Sequence, residues 1–150
     1  MTDRIVLFVC VENAARSLMA EAYFNARAPE GWGATSAGTE PAGAPNPRTG
    51  PMLEEVGLSL PSHPPRRLTP EEAQGAALVI TMGCLDRESC PLYLVPQVTE
   101  DWKLPDPART DDRGFREVRD EIGRRVGTLI AQIRSGTVRE RTLGSTPRQG

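Results

Sequence analysis

Apolar positions along this chain fall into distinct patterns, and each predicts a different element. Ile5-Val6-Leu7-Phe8-Val9 is an unbroken apolar run rich in β-branched residues, and Ala77-Leu78-Val79-Ile80-Thr81-Met82 is a second. Such runs predict strands buried on both faces, as parallel sheets require. Ala34 to Ala37 predicts a shorter strand. From Ser17 to Ala28, Leu18, Met19, Ala22 and Tyr23 recur at helical spacing, and Pro29 stops the helix. Met52 to Val56 predicts a short helix closed by Gly57. Thr69-Pro70-Glu71-Glu72 is a helix start, with a cap, a proline in the first turn and acids beside the positive dipole end. Arg113 to Arg134 is the most periodic segment, with Phe115, Val118, Ile122, Val126, Leu129, Ile130 and Ile133 on one stripe. Proline- and glycine-rich stretches over 40–51 and 61–68 predict loops. Residues 136–150 are polar and predict a disordered tail, leaving 1–135 as one domain. Strands alternating with helices argue an α/β layered fold whose ligand site lies at the carboxyl ends of the strands.

Composition narrows the classes of function. The chain has 150 residues and a formal charge of −2, so no basic surplus favours nucleic acid. No apolar run approaches the roughly 20 residues that span a bilayer. The apolar run after Met1-Thr2-Asp3-Arg4 is too short for a signal peptide, so a cytoplasmic location is expected, where thiols stay reduced. Cys10, Cys84 and Cys90 are then chemical or merely buried rather than a disulfide framework. The single histidine, His63, lies between Ser62 and Pro64 and is expected to be an ordinary loop residue. One histidine argues against a Cys/His dyad and against multi-histidine metal sites, and no metal site is expected.

Candidate chemistry sits where the first strand ends. Cys10-Val11-Glu12-Asn13-Ala14-Ala15-Arg16-Ser17 joins a buried strand to a helix. Five residues between Cys10 and Arg16 can wrap a semicircle whose N–H groups point inward, and the helix adds its positive end. A tetrahedral dianion fits such a cradle, and the planar fork of Arg16 can hold two of its oxygens. The same field favours thiolate over thiol at Cys10. Ser17 can donate a hydrogen bond to the sulfur, and Asn13 tolerates the left-handed backbone such a loop needs.

These residues resemble the signature of the low-molecular-weight protein tyrosine phosphatases and the arsenate reductases built on that fold. Ser36-Ala37-Gly38-Thr39 is similar to the segment after the family's second strand, Asp106-Pro107 to its general-acid loop, and Val118-Arg119-Asp120-Glu121-Ile122 to the arsenate reductase C-terminal helix. The resemblance covers roughly residues 5 to 134. It implies a three-layer α/β sandwich with a four-stranded parallel sheet flanked by helices. It makes Cys10 the nucleophile, Arg16 and the loop N–H groups the oxyanion binders, and Asp106 the proton donor. Asp101 is the internal competitor for that last role, but no proline follows it. Glu21 and Ser36 resemble positions that some family members use near a structural potassium ion; no tightly bound cofactor is otherwise implied.

Two features favour arsenate over a phosphorylated protein. Ala108 follows Asp106-Pro107 where the phosphatases place an aromatic residue, and residues 40–51 hold no aromatic at all. A pocket without aromatic walls grips a phenol poorly but suits a bare inorganic anion. Cys84 and Cys90 follow the second buried strand and resemble the redox segment of arsenate reductases, although five residues separate them where the thioredoxin-coupled enzymes have six. In one reading the three thiols run a disulfide relay closed by a thioredoxin-like reductant. In another, a low-molecular-weight thiol such as mycothiol or glutathione attacks the arseno-cysteine, a mycoredoxin- or glutaredoxin-like protein completes the cycle, and Cys84 and Cys90 stand by. The rivals are a phosphatase of the same fold, hydrolysing phosphomonoesters through a phosphocysteine, and a non-enzymatic thiol switch. A monomer without membrane or nucleic-acid partners is expected.

Overall fold

The structure, a computed structural model, describes residues 3–88 and 90–138. Strand β1 (Arg4–Cys10) is central, with β2 (Trp32–Gly38) on one side, β3 (Leu78–Thr81) on the other and β4 (Glu100–Asp101) beyond β3. The order is β2-β1-β3-β4 and every pairing is parallel. Helices α1 (Arg16–Ala26), α2 (Thr49–Glu54), α3 (Pro70–Gly75) and α4 (Asp112–Ser135) supply the outer layers. This is the three-layer sandwich with a four-stranded parallel sheet that the family resemblance implied.

Alternation along β1 separates two apolar clusters. Val6, Phe8 and Cys10 pack with Met19 and Phe24 of α1, Leu53 of α2 and the Phe115–Ile122–Val126 stripe of α4. Leu7 and Val9 point the other way, towards Ala73 of α3, Leu68, Val79, Cys84 and Leu94. Side chains buried on both faces explain why the strand reads as an unbroken apolar run.

Local signals set most boundaries. Thr69 and Glu72 form a capping box, the hydroxyl accepting from the Glu72 N–H and the carboxylate from the Thr69 N–H. Gly136 takes a left-handed φ of 75° and ends α4, while Val138 packs back against the core. The rest of the expected tail, 139–150, lies outside the described residues. Helix α2 begins three residues before the expected start at Met52, because Thr49 is buried with its hydroxyl donating to the Ala14 carbonyl, 2.8 Å away. Among the described residues, no helix is long and apolar enough to cross a membrane.

Candidate functional site

The loop 11–15 leaves the carboxyl end of β1 and enters α1, and its carbonyl groups are drawn outward one by one. Cys10 O accepts from Thr39 N (3.1 Å), Val11 O from Glu40 N (2.8 Å), Glu12 O from Ala42 N (3.0 Å) and Ala14 O from Asn46 N (3.0 Å). A peptide whose C=O points out directs its N–H the opposite way. The 39–49 segment therefore turns the loop's N–H groups towards a common centre, the geometry of an anion nest. Asn13 adopts φ of 52°, affordable for asparagine. Its N–H points at the Cys10 sulfur, 3.3 Å away.

Buried polar groups brace this loop. Cys10 is 2% exposed, and its Sγ lies 2.9 Å from Ser17 Oγ. Asn13 Nδ2 donates to Ser17 Oγ (2.7 Å) and to Ser36 Oγ (2.9 Å), while its Oδ1 accepts from Arg66 N (3.1 Å). Gly38 pairs with Cys10 across β1 and β2, and a Cβ there would lie 2.6 Å from Val11 O, so only glycine admits the loop this close.

Above the sulfur is a cleft of about 270 Å³ whose lining includes Cys10, Arg16, Arg87, Leu104, Asp106 and Arg109 and, among the described residues, no aromatic side chain. Arg16 Nη1 donates to Leu104 O at 3.2 Å, and the guanidinium passes over Gly83, whose positive φ (89°) and missing Cβ leave it room. Asp106 caps the short 3₁₀ turn Pro107–Arg109, its Oδ1 accepting from Ala108 N at 3.0 Å. Asp101 does not line this cleft; its Oδ1 accepts from Thr81 Oγ1 at 2.6 Å. The structure thus joins Cys10, Arg16 and Asp106 around one small cationic space, suited to an oxyanion at the floor and a proton donor at the rim.

Cys84 and Cys90 are elsewhere. Cys84 is fully buried in the apolar cluster on the opposite face of the sheet, with half-buried Cys90 packed against the same cluster. Burial pushes the Cys84 thiol up to about 12, and the neighbouring Cys90, Cys10 and Asp101 act in the same direction. Burial also raises Cys90, opposed by its hydrogen bond with Cys84. The two thiols therefore share one apolar cluster, and neither lines the cleft. Arg87, on the turn between them, does line it.

Sequence reasoning missed three residues. Arg48 donates from Nη2 to Pro107 O (3.2 Å) and from Nη1 to Asp112 (3.1 Å), with its guanidinium over the Phe115 ring, so it fastens the turn carrying Asp106. Arg87 and Arg109 add positive charge to the cleft; their only signal was basicity, which surface arginines share. His63 is not the ordinary loop residue expected: its Nε2 lies 2.8 Å from the buried Glu21 carboxylate.

The family model for low molecular weight phosphotyrosine protein phosphatase matches residues 5–139. The chain belongs to this family. Among its relatives, arsenate reductase 1 of Staphylococcus haemolyticus is 34% identical over 128 residues, covering 84% of this chain and 94% of that one. Among solved structures, the thioredoxin-dependent arsenate reductase of Corynebacterium glutamicum matches with TM-score 0.73 and 33% identity; the match covers 90% of this chain and 64%, just under two thirds, of that one. The arsenate reductase of Archaeoglobus fulgidus matches with TM-score 0.70 and 35% identity, over 84% of this chain and 98% of that one.

Proposed function

We propose that the protein reduces arsenate to arsenite, with Cys10 as nucleophile. The observation that carries this reading is a sulfur at the floor of a small cationic cleft without aromatic walls, with two further thiols in one apolar cluster on the other face of the sheet. Membership of the family supports the anion cradle, and the arsenate reductases among the relatives support the choice of oxyanion.

Arsenate enters with its oxygens on the loop N–H groups and Arg16. The Cys10 thiolate attacks arsenic(V), and one As–O bond breaks as Asp106 gives its proton to the departing oxygen, which leaves as water. Cys84, freed from its apolar cluster and deprotonated, then attacks Cys10 Sγ. The As–S electron pair stays on arsenic, giving arsenite and a Cys10–Cys84 disulfide. Cys90 displaces Cys10 from Cys84, and the Cys84–Cys90 disulfide takes two electrons and two protons from an external dithiol of the thioredoxin type. The raised Cys84 thiol agrees with this order: as a protonated, buried group it does not react until it leaves its apolar cluster. The reaction needs the reducing conditions of the cytoplasm.

Mass spectrometry after one arsenate turnover without added reductant tests this. A Cys84–Cys90 or Cys10–Cys84 disulfide, with one equivalent of arsenite, is expected. Arsenite that appears only when glutathione or mycothiol is supplied, with Cys84 and Cys90 still free, overturns the relay but keeps the reductase. Efficient aryl phosphate hydrolysis without arsenate-dependent thiol oxidation overturns the reductase itself.

A further inference from the structure

Residues 83–87 belong to two places at once. Gly83 and Arg87 line the cleft above Cys10. Cys84, between them, is fully buried in the apolar cluster on the other face of the sheet, against which half-buried Cys90 also packs. Arg87 is the residue common to both. Its N–H donates to Cys84 O (3.1 Å), and its carbonyl accepts from Cys90 N (3.0 Å). Its side chain is exposed to the cleft, and among the described residues no carboxylate pairs with the guanidinium. The other cleft arginines each have a protein partner: Arg16 donates to Leu104 O (3.2 Å), and Arg109 lies 3.9 Å from the Asp106 carboxylate.

We propose that Arg87 binds the fourth oxygen of the tetrahedral anion, the one turned away from the loop, and that this contact holds Cys84 and Cys90 in their apolar cluster until that oxygen departs. This rests on the reading of the cleft as an oxyanion site. The floor, with its inward N–H groups and Arg16, takes three oxygens. In-line attack by Cys10 Sγ leaves the departing oxygen on the far side of the central atom, at the mouth of the cleft, where Asp106 stands. Arg87 is the cation of the cleft left free to meet it.

Two consequences follow from that placement. A guanidinium on the departing oxygen stabilises the negative charge it gathers as its bond to arsenic breaks. The Cys10 S–As bond forms, the departing hydroxyl oxygen takes the Asp106 proton, and water leaves. Arg87 then has no oxygen to hold, and the backbone that clasps both cysteines is no longer fastened to the cleft. The thiols are therefore held back while arsenate is intact and released once Cys10 carries the arsenic. By linkage, the factor by which a bound anion slows exposure of the thiols equals the factor by which their packed state tightens the anion.

The test is alkylation of the reduced protein by iodoacetamide, site-resolved by mass spectrometry, in inorganic phosphate and in phosphite. Both are tetrahedral and are compared as dianions at equal ionic strength, each at a concentration that saturates protection of Cys10. Phosphite carries a hydrogen in place of the fourth oxygen. Phosphate should slow alkylation of Cys84 and Cys90 about tenfold, the scale of one charge-assisted hydrogen bond, and phosphite should leave both rates unchanged. In Arg87→Ala, phosphate should still protect Cys10 but no longer the other two thiols, and Arg87→Lys should keep part of the effect. Undiminished protection of Cys84 and Cys90 in Arg87→Ala, or equal protection by the two anions, overturns the proposal, because the anion then acts by stabilising the whole fold. Phosphate that protects only Cys10 in the wild-type protein also overturns it and leaves the anion cradle standing. Phosphate that does not protect even Cys10 overturns the cradle and the proposal together. Should phosphite not bind, the Arg87→Ala comparison in phosphate decides.

Discussion

Replacing Gly38 with alanine tests whether the loop's shape, rather than its residue list, makes the anion site. The added Cβ would stand 2.6 Å from Val11 O, 3.0 Å from Asn13 N and 3.1 Å from Asn13 Cβ. A carbon–oxygen contact relaxes at about 3.3 Å, so roughly 0.7 Å must be found. Strand β2 cannot retreat, since Gly38 N donates to Arg66 O (2.8 Å) and Gly38 O accepts from Leu68 N (2.9 Å). The loop moves instead, carrying Val11 and Asn13 off the common centre. Losing one aligned donor costs about 10²–10³ in rate, and overpacking costs about 1–3 kcal/mol of stability. Gly38→Ala should therefore lower kcat/KM for arsenate by about 10², measured as arsenite formed with a dithiol reductant. Gly43→Ala, whose Cβ would meet nothing within 4 Å, is the control and should be indistinguishable from wild type. A Gly38→Ala enzyme within threefold of wild type would refute the claim that this close approach shapes the cradle.

Asp106→Asn should lower kcat by about 10² to 10⁴ while arsenate still protects Cys10 from alkylation, since the proton donor is lost and the cradle is not. Arg48→Ala removes the bonds to Pro107 O and Asp112 and should lower kcat about tenfold, measured by the same arsenite assay. In the Arg48→Ala, Asp106→Asn double variant the losses should be less than additive, because the arginine acts through the aspartate; full additivity would count against it. Cys84 is raised from 9.0 to about 12 in the folded protein, so the folded state holds a proton that the unfolded chain releases. Its stabilisation is complete below pH 9.0 and is lost as pH rises towards 12. Urea unfolding should show a loss on the order of 2 kcal/mol between about pH 9 and about pH 10.5 in wild type and a smaller one in Cys84→Ala. Equal slopes would show that Cys84 is not the group responsible.

Local patterns made part of this protein legible in the sequence. The apolar runs of β1 and β3, the stripe of α4 and the Thr69 capping box each depend on neighbours within a few residues. The Cys10–Ser17 stretch announced its chemistry because strand, loop and helix follow one another directly. The third dimension decided the rest. Strand β4 is two residues long and exists only through its pairing with β3, so it has no pattern of its own. Glu40, Ala42 and Asn46 orient the loop through backbone N–H groups that any residue but proline would supply. Arg48, Gly38 and His63 act on groups 59, 27 and 42 positions away in sequence, at Pro107, Val11 and Glu21. A sequence determines which groups it carries and how near neighbours arrange them. Which distant groups meet within hydrogen-bond reach is settled when the sheet and helices pack, because close packing fixes those separations to tenths of an ångström.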